Sequence, residues 1–185
     1  MQLAEEVQMH LKRKNQILFS KDAECLQELR LLLQQQSRKV LILWALSLAQ
    51  ESTATLTQRF PAERRPQEAL EAAWGWACGR IRMPVARRRI LDCHALAKEL
   101  THPADRALCH AIGQACSVVH TAGHAMGYPM YELSALVYRY PGDGWLLPVQ
   151  QRMQHYVARL LYMQEHVHNV CIPWADFLQK ESALP

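Results

Sequence analysis

Apolar residues recur along this chain every three or four positions, with little strict alternation, and that period belongs to helices rather than strands. Leu3, Val7 and Leu11 mark a weak first helix. Cys25, Leu26, Leu29 and Leu33 mark a second, with Ser20 or Asp22 as its cap. Ser37 can cap a third, in which Val40, Leu41, Trp44 and Leu48 repeat at helical spacing. Positions 40–49 are apolar nearly all round, so this helix should be central in the core. Pro61 ends the stretch that follows.

Proline and glycine punctuate the rest. Pro66 opens a fourth helix over 66–78, with Leu70, Ala73, Trp74 and Ala77 as its buried stripe and Gly79 as a left-handed C-terminal cap. Trp76 falls roughly 200° from Trp74 around that helix, away from the stripe. Pro84 opens a fifth helix, to about residue 100, and Pro103 opens a sixth. Gly123, Gly127 and Pro129 interrupt the helical pattern near 120–123, after which a new helix should run to about residue 140. Pro141-Gly-Asp-Gly144 is a turn, and a long last helix over 146–169 precedes Pro173. These elements predict an all-α fold of about seven to nine helices, either an antiparallel bundle or a stack of α-hairpins. One domain over 1–185 is expected, with a core over 22–140 and a C-terminal helical extension over 146–180.

Composition narrows the function classes. Half of the 185 residues are hydrophobic and 21% are charged, which suits a globular protein rather than a disordered or fibrous one. No apolar run approaches the length of a bilayer span, and Glu5 and Glu6 precede Lys12-Arg-Lys14, the reverse of a signal-peptide order. A cytoplasmic protein without membrane attachment is expected. The six cysteines form no Cys-x-x-Cys pair, so reduced, buried thiols are expected rather than disulfides or a zinc finger. The net charge of +4 is mild. Arg80, Arg82, Arg87, Arg88 and Arg89 form its densest cluster, but no aromatic residues interleave with them, which argues against nucleic acid.

Candidate chemistry centres on histidine. His120 and His124 are four apart and would share a face if the helix ran through them, as helical metal ligands do. His94 and Gln114 join them as the candidate polar cluster, with Asp92, His110 and Glu132 as weaker members. His94, His120 and His124 could hold zinc or iron, but no carboxylate stands at helical spacing from the pair. Cys116 and His120 are also four apart, yet Cys116 lies in an apolar run that would keep its thiol inert. No phosphate loop, serine-hydrolase elbow or His-Glu-x-x-His is present. The candidate partner surface is Arg80, Arg82, Arg87 and Arg88, with Trp76 as an anchor.

Five segments, in this order, resemble a bacterial putative immunity protein family of toxin–immunity systems: Lys39-Val-Leu-Ile-Leu-Trp-Ala-Leu46, Arg65-Pro-Gln-Glu-Ala-Leu-Glu-Ala72, Trp76-Ala-Cys-Gly-Arg-Ile81, Arg87 through His94-Ala95, and His120-Thr-Ala-Gly-His-Ala-Met-Gly127. The resemblance covers about residues 22–140. The resemblance implies an all-helical fold and a protein partner. Gly113-Gln114 stands where relatives resemble Gly-His, so this chain would lack one imidazole of a shared cluster. Pro129 stands where a helix-compatible residue is expected, so the helix there should start late. The leading reading is a non-enzymatic cytoplasmic protein that binds a toxin and needs no cofactor. The alternative is a metal-binding protein or metal-dependent enzyme built on His94, His120 and His124. Neither reading decides between a monomer and a homo-oligomer.

Overall fold

The computed structural model describes residues 3–180. The predicted single domain over 1–185 therefore reaches beyond the described residues at both ends. Among them lie nine α-helices, three short 3-10 turns and no strand. The helices are α1 (Leu3–Lys12), α2 (Gln27–Gln34), α3 (Arg38–Arg59), α4 (Arg65–Ala77), α5 (Met83–Leu96), α6 (Pro103–Ser117), α7 (Gly127–Arg139), α8 (Leu146–His166) and α9 (Asp176–Lys180).

Helix α3 is the axis of the fold, and it packs against α4, α6 and α8. Its residues from Val40 to Leu46 are all buried, as an all-round apolar sequence requires. Ser37 caps it, its Oγ accepting from Val40 N–H at 3.4 Å. The turns after α4 and α5 return the chain so that α4, α5, α6 and α7 pack as successive neighbours. Gly79 has φ of 71°, the left-handed conformation that closes α4.

Several local expectations change. Ser20 and Asp22 do not cap α2; a 3-10 turn over Glu24–Leu26 leads into it, and Ser20 Oγ accepts from Asp22 N–H instead. Helix α5 ends four residues before the expected boundary near residue 100. Pro129 does not delay α7, because it sits in the first turn, where a missing N–H costs nothing. Trp76 is buried, at 8% exposure, while Trp74 is only half-buried. The helical period located one stripe correctly, but α4 is covered by α3, α5 and α6 together, so a second face is also buried.

Two segments outside the periodic pattern also join the core. Leu18 and Phe19 are buried, with Leu18 N–H donating to Ser134 Oγ at 2.9 Å and Tyr138 Oη donating to the Asn15 carbonyl at 2.7 Å. At the other end, Ala175 N–H donates to the Ala77 carbonyl at 2.9 Å, which satisfies one of the open carbonyls at the end of α4. No helix among the described residues is long and apolar enough to cross a membrane.

Candidate functional site

Helix α6 ends at Ser117, so His120 and His124 are not successive positions of one α-helix. His120 lies in the turn, its N–H bonded to the Ser117 carbonyl, and His124 lies in the 3-10 turn Ala122–Met126. The expected shared helical face is therefore absent. The fold nevertheless brings both residues, with His94 from α5, to the wall of one cavity of about 420 Å³. Trp76, Arg87 and Leu91 line the same space.

Each member of the cluster has a defined neighbour. His124 Nδ1 lies 2.8 Å from the Gln114 side-chain amide, within hydrogen-bond distance. The Gln114 amide thus orients the imidazole. His120 stacks on Trp76, with ring centroids 5.8 Å apart and planes inclined by 28°. His94 Nδ1 lies 3.0 Å from His110 Nδ1, so one ring donates and the other accepts. Two glycines make room for this packing. A Cβ on Gly113 would lie 2.3 Å from His94 Nε2, and one on Gly127 would lie 2.4 Å from Gln114 Oε1. Arg38 closes the turn below, its guanidinium donating to the Val119 carbonyl at 2.6 Å and the His120 carbonyl at 2.5 Å.

The imidazoles of His94, His110 and His124 resist protonation. Burial pushes the His94 pKa down to about 4, with a smaller contribution from the neighbouring His110 and His124. Burial, then the Arg106 charge, lowers His110; burial, then His120, lowers His124. An unfolded histidine takes up its proton near pH 6.5, so between about 6.5 and 4 the unfolded chain binds more protons than the folded one. The resulting stability is fully present above pH 6.5 and falls as pH drops toward 4. Urea midpoints measured from pH 7.5 to 4.5 should decrease through this window, and His94→Gln should flatten the decrease. A parent midpoint that does not move across the window contradicts this electrostatic picture.

Among the described residues, no group of three His, Cys, Asp or Glu side chains is placed to hold a metal ion. Glu132, the nearest carboxylate in sequence to His120 and His124, belongs to a different part of the molecule. It is buried between α3, α7 and α8, where Arg152 Nε and Nη2 donate to its two oxygens, both at 2.8 Å. Tyr156 Oη donates to it at 2.5 Å and Ser52 Oγ at 3.2 Å. Arg152 also reaches Glu51 at 2.6 Å. Burial alone would raise the Glu51 pKa, but the hydrogen bond and charge of Arg152, aided by His155, hold it below the usual carboxylate range. The sequence did carry a trace of this network: Tyr128 and Glu132, and Arg152 and Tyr156, are polar-headed pairs four apart on otherwise apolar stripes.

The thiols follow their surroundings. Cys93, Cys109 and Cys116 are buried, and burial pushes the thiols of Cys109 and Cys116 up to about 12 and that of Cys93 in the same direction. Labelling of these three by a thiol reagent in the native protein should run orders of magnitude slower than in denaturant. Equal rates would show that this part of the core is open.

Arg80, Arg82, Arg87 and Arg88 all stand exposed at the start of α5 and in the turn before it. Trp76 does not join them on the surface; it lies beneath His120, and the Phe177 ring is 5.9 Å away. A family model described as Imm-5 like putative immunity protein matches residues 31–159, from within α2 to within α8. No curated protein and no solved structure matches the chain.

Proposed function

The chain belongs to the Imm-5 like putative immunity protein family, and we propose that it is a non-enzymatic cytoplasmic protein that neutralises a toxin by direct binding. The observation that supports this most is the outer face of α5. Met83, Val85 and Leu91 of this helix are exposed at 39%, 52% and 51%. Arg80 and Arg82 stand exposed in the turn before α5, and Arg87 and Arg88 stand exposed on it. Arg88 is paired with Asp92 at 3.1 Å, whereas Arg80, Arg82 and Arg87 meet no carboxylate within salt-bridge distance among the described residues.

Exposed apolar side chains on a helix that also carries arginines without carboxylate partners suit a partner that brings carboxylates beside an apolar centre. The histidine cavity opens beside this face, and Arg87 and Leu91 belong to both. In this reading Trp76 serves as the cavity's aromatic wall. One folded unit carrying both core and extension is supported by α8, which packs on α2, α3 and α7.

The test is binding to candidate toxins from the neighbouring genes of its host, followed by calorimetry at low and high salt. A stoichiometric complex is expected. Association should slow as salt rises, because a cationic face steers an acidic partner only within the screening length. Arg80→Glu with Arg87→Glu should weaken the complex at least about tenfold, or about 1.4 kcal/mol, with the circular dichroism spectrum unchanged. A complex of unchanged affinity and salt dependence would place the interface elsewhere, and no protection of cells against any of these toxins would refute the function.

A further inference from the structure

A second cavity, of about 410 Å³, lies between the end of α1, α6 and α7. We infer that it binds a small organic oxyanion carried on a flat ring. Its lining contains Lys14 and Arg106 but no aspartate or glutamate. Neither cation has a carboxylate within salt-bridge distance among the described residues, although Asp105, next to Arg106, is held by Arg59 at 2.8 Å and faces another way. The cavity therefore presents two positive charges that the protein itself leaves unneutralised.

The remaining walls select the rest of the ligand. The rings of His110 and Tyr131 lie 5.1 Å apart with planes inclined by 36°, and both line the space. Tyr138 lines it too, but its hydroxyl is committed to the Asn15 carbonyl. The Tyr131 hydroxyl has no hydrogen-bond partner among the described residues and is free to meet a ligand. Leu11, Pro103 and Ala107 supply apolar surface. Aromatic and apolar walls with a few convergent polar groups are what a small-molecule pocket requires, and the volume falls in the usual range. A bare inorganic ion would leave most of that volume unfilled. A ring against His110 and Tyr131 fills it, and its oxyanion can reach Lys14 and Arg106, with arginine well suited to bidentate recognition.

Lys14 is placed by the backbone. It has φ of 56°, the left-handed conformation that ends α1, and its N–H bonds to the Leu11 carbonyl at 3.0 Å. Asn15 is then fixed by Tyr138 and by its contact with His10 Nδ1 at 2.7 Å. The rim is thus tied to both α1 and α7 before any ligand arrives, which lowers the ordering cost of binding.

The test is a nuclear magnetic resonance titration of the full isotope-labelled chain with two probes, adenosine monophosphate and 4-hydroxybenzoate. Adenosine and inorganic phosphate serve as the ring-only and anion-only controls. At least one probe should shift Ala107, His110 and Tyr131 saturably, with Kd at or below about 1 mM. Whichever probe binds identifies phosphate or carboxylate as the anion. The controls, and the Lys14→Ala, Arg106→Ala double variant, should bind at least tenfold more weakly. The variant's unshifted spectrum away from the cavity shows that it is folded; Lys14→Arg with Arg106→Lys should restore binding if the double alanine chain does not fold. No saturable shift with either probe, equal binding of a control, or binding indifferent to both cations would overturn the inference. The readout does not involve a toxin, so it stands or falls separately from the immunity role.

Discussion

Replacing Trp44 by alanine should destabilise the fold by about 3–5 kcal/mol, near the upper end of that range. Trp44 is fully buried on α3, which packs against α4, α6 and α8. Its ring meets Tyr128 and Tyr156 edge-on, with centroids 6.5 and 6.2 Å away, an arrangement that adds to simple burial. Its Nε1–H donates to the Tyr156 carbonyl at 3.0 Å, deep between α3 and α8. Alanine therefore removes the largest block from the core, leaves a cavity at a junction of three helices and takes the donor away from a buried carbonyl. Trp44→Phe keeps most of the volume and loses the donor, so it should cost less than half as much. Urea denaturation of both variants checks this, and a loss below about 1 kcal/mol for the alanine variant would show that α3 is not the centre of the core.

Arg152→Met should cost a comparable amount, about 3–5 kcal/mol, for a different reason. The guanidinium is the main counter-charge of Glu132, and their side chains are only 17% and 9% exposed. Without it, the carboxylate stays buried with hydroxyl donors alone. Arg152 itself is hard to deprotonate: burial works against its charge, but Glu132 and the two tyrosines hold its pKa above the normal arginine value. The double variant Glu132→Gln, Arg152→Met removes both charges, so it should be more stable than Arg152→Met alone. A double-mutant cycle should give a coupling above about 1 kcal/mol. Strictly additive losses would mean that the pair is a surface contact in solution. Because Glu51 also leans on Arg152, its share of the stability is present above the ordinary carboxylate pKa and disappears as pH falls through its lowered folded value. Arg152→Met should therefore also blunt the loss of stability in acid below about pH 4.5.

The histidine site shows how local and distant information divide. Residues within a few positions of one another fix helices through backbone hydrogen bonds and capping, and these were readable: Ser37 before α3, Gly79 after α4, the prolines that open α4, α5 and α6, and the break before α7. The all-round apolar stretch of α3 announced its central place in the same way. The segments that carry the family resemblance also lie inside the residues matched by the family model.

Tertiary contacts decided the rest, because a side chain's environment is set by what packs over it and not by its own helix. Period alone made Trp74 the buried tryptophan, but α4 is covered on two faces and Trp76 went inside. Spacing made His120 and His124 a helical pair; the end of α6 undid that, and packing of α4, α5 and the turn reunited them around a cavity. The partner of Glu132 was twenty residues away on α8, at |i−j| of 20, beyond the reach of any local pattern. The chain's own sequence determined where its helices begin, end and turn apolar. Only their assembly decided which polar groups would lose water, and burial of those groups is what shifts their pKa values and forces them to find partners.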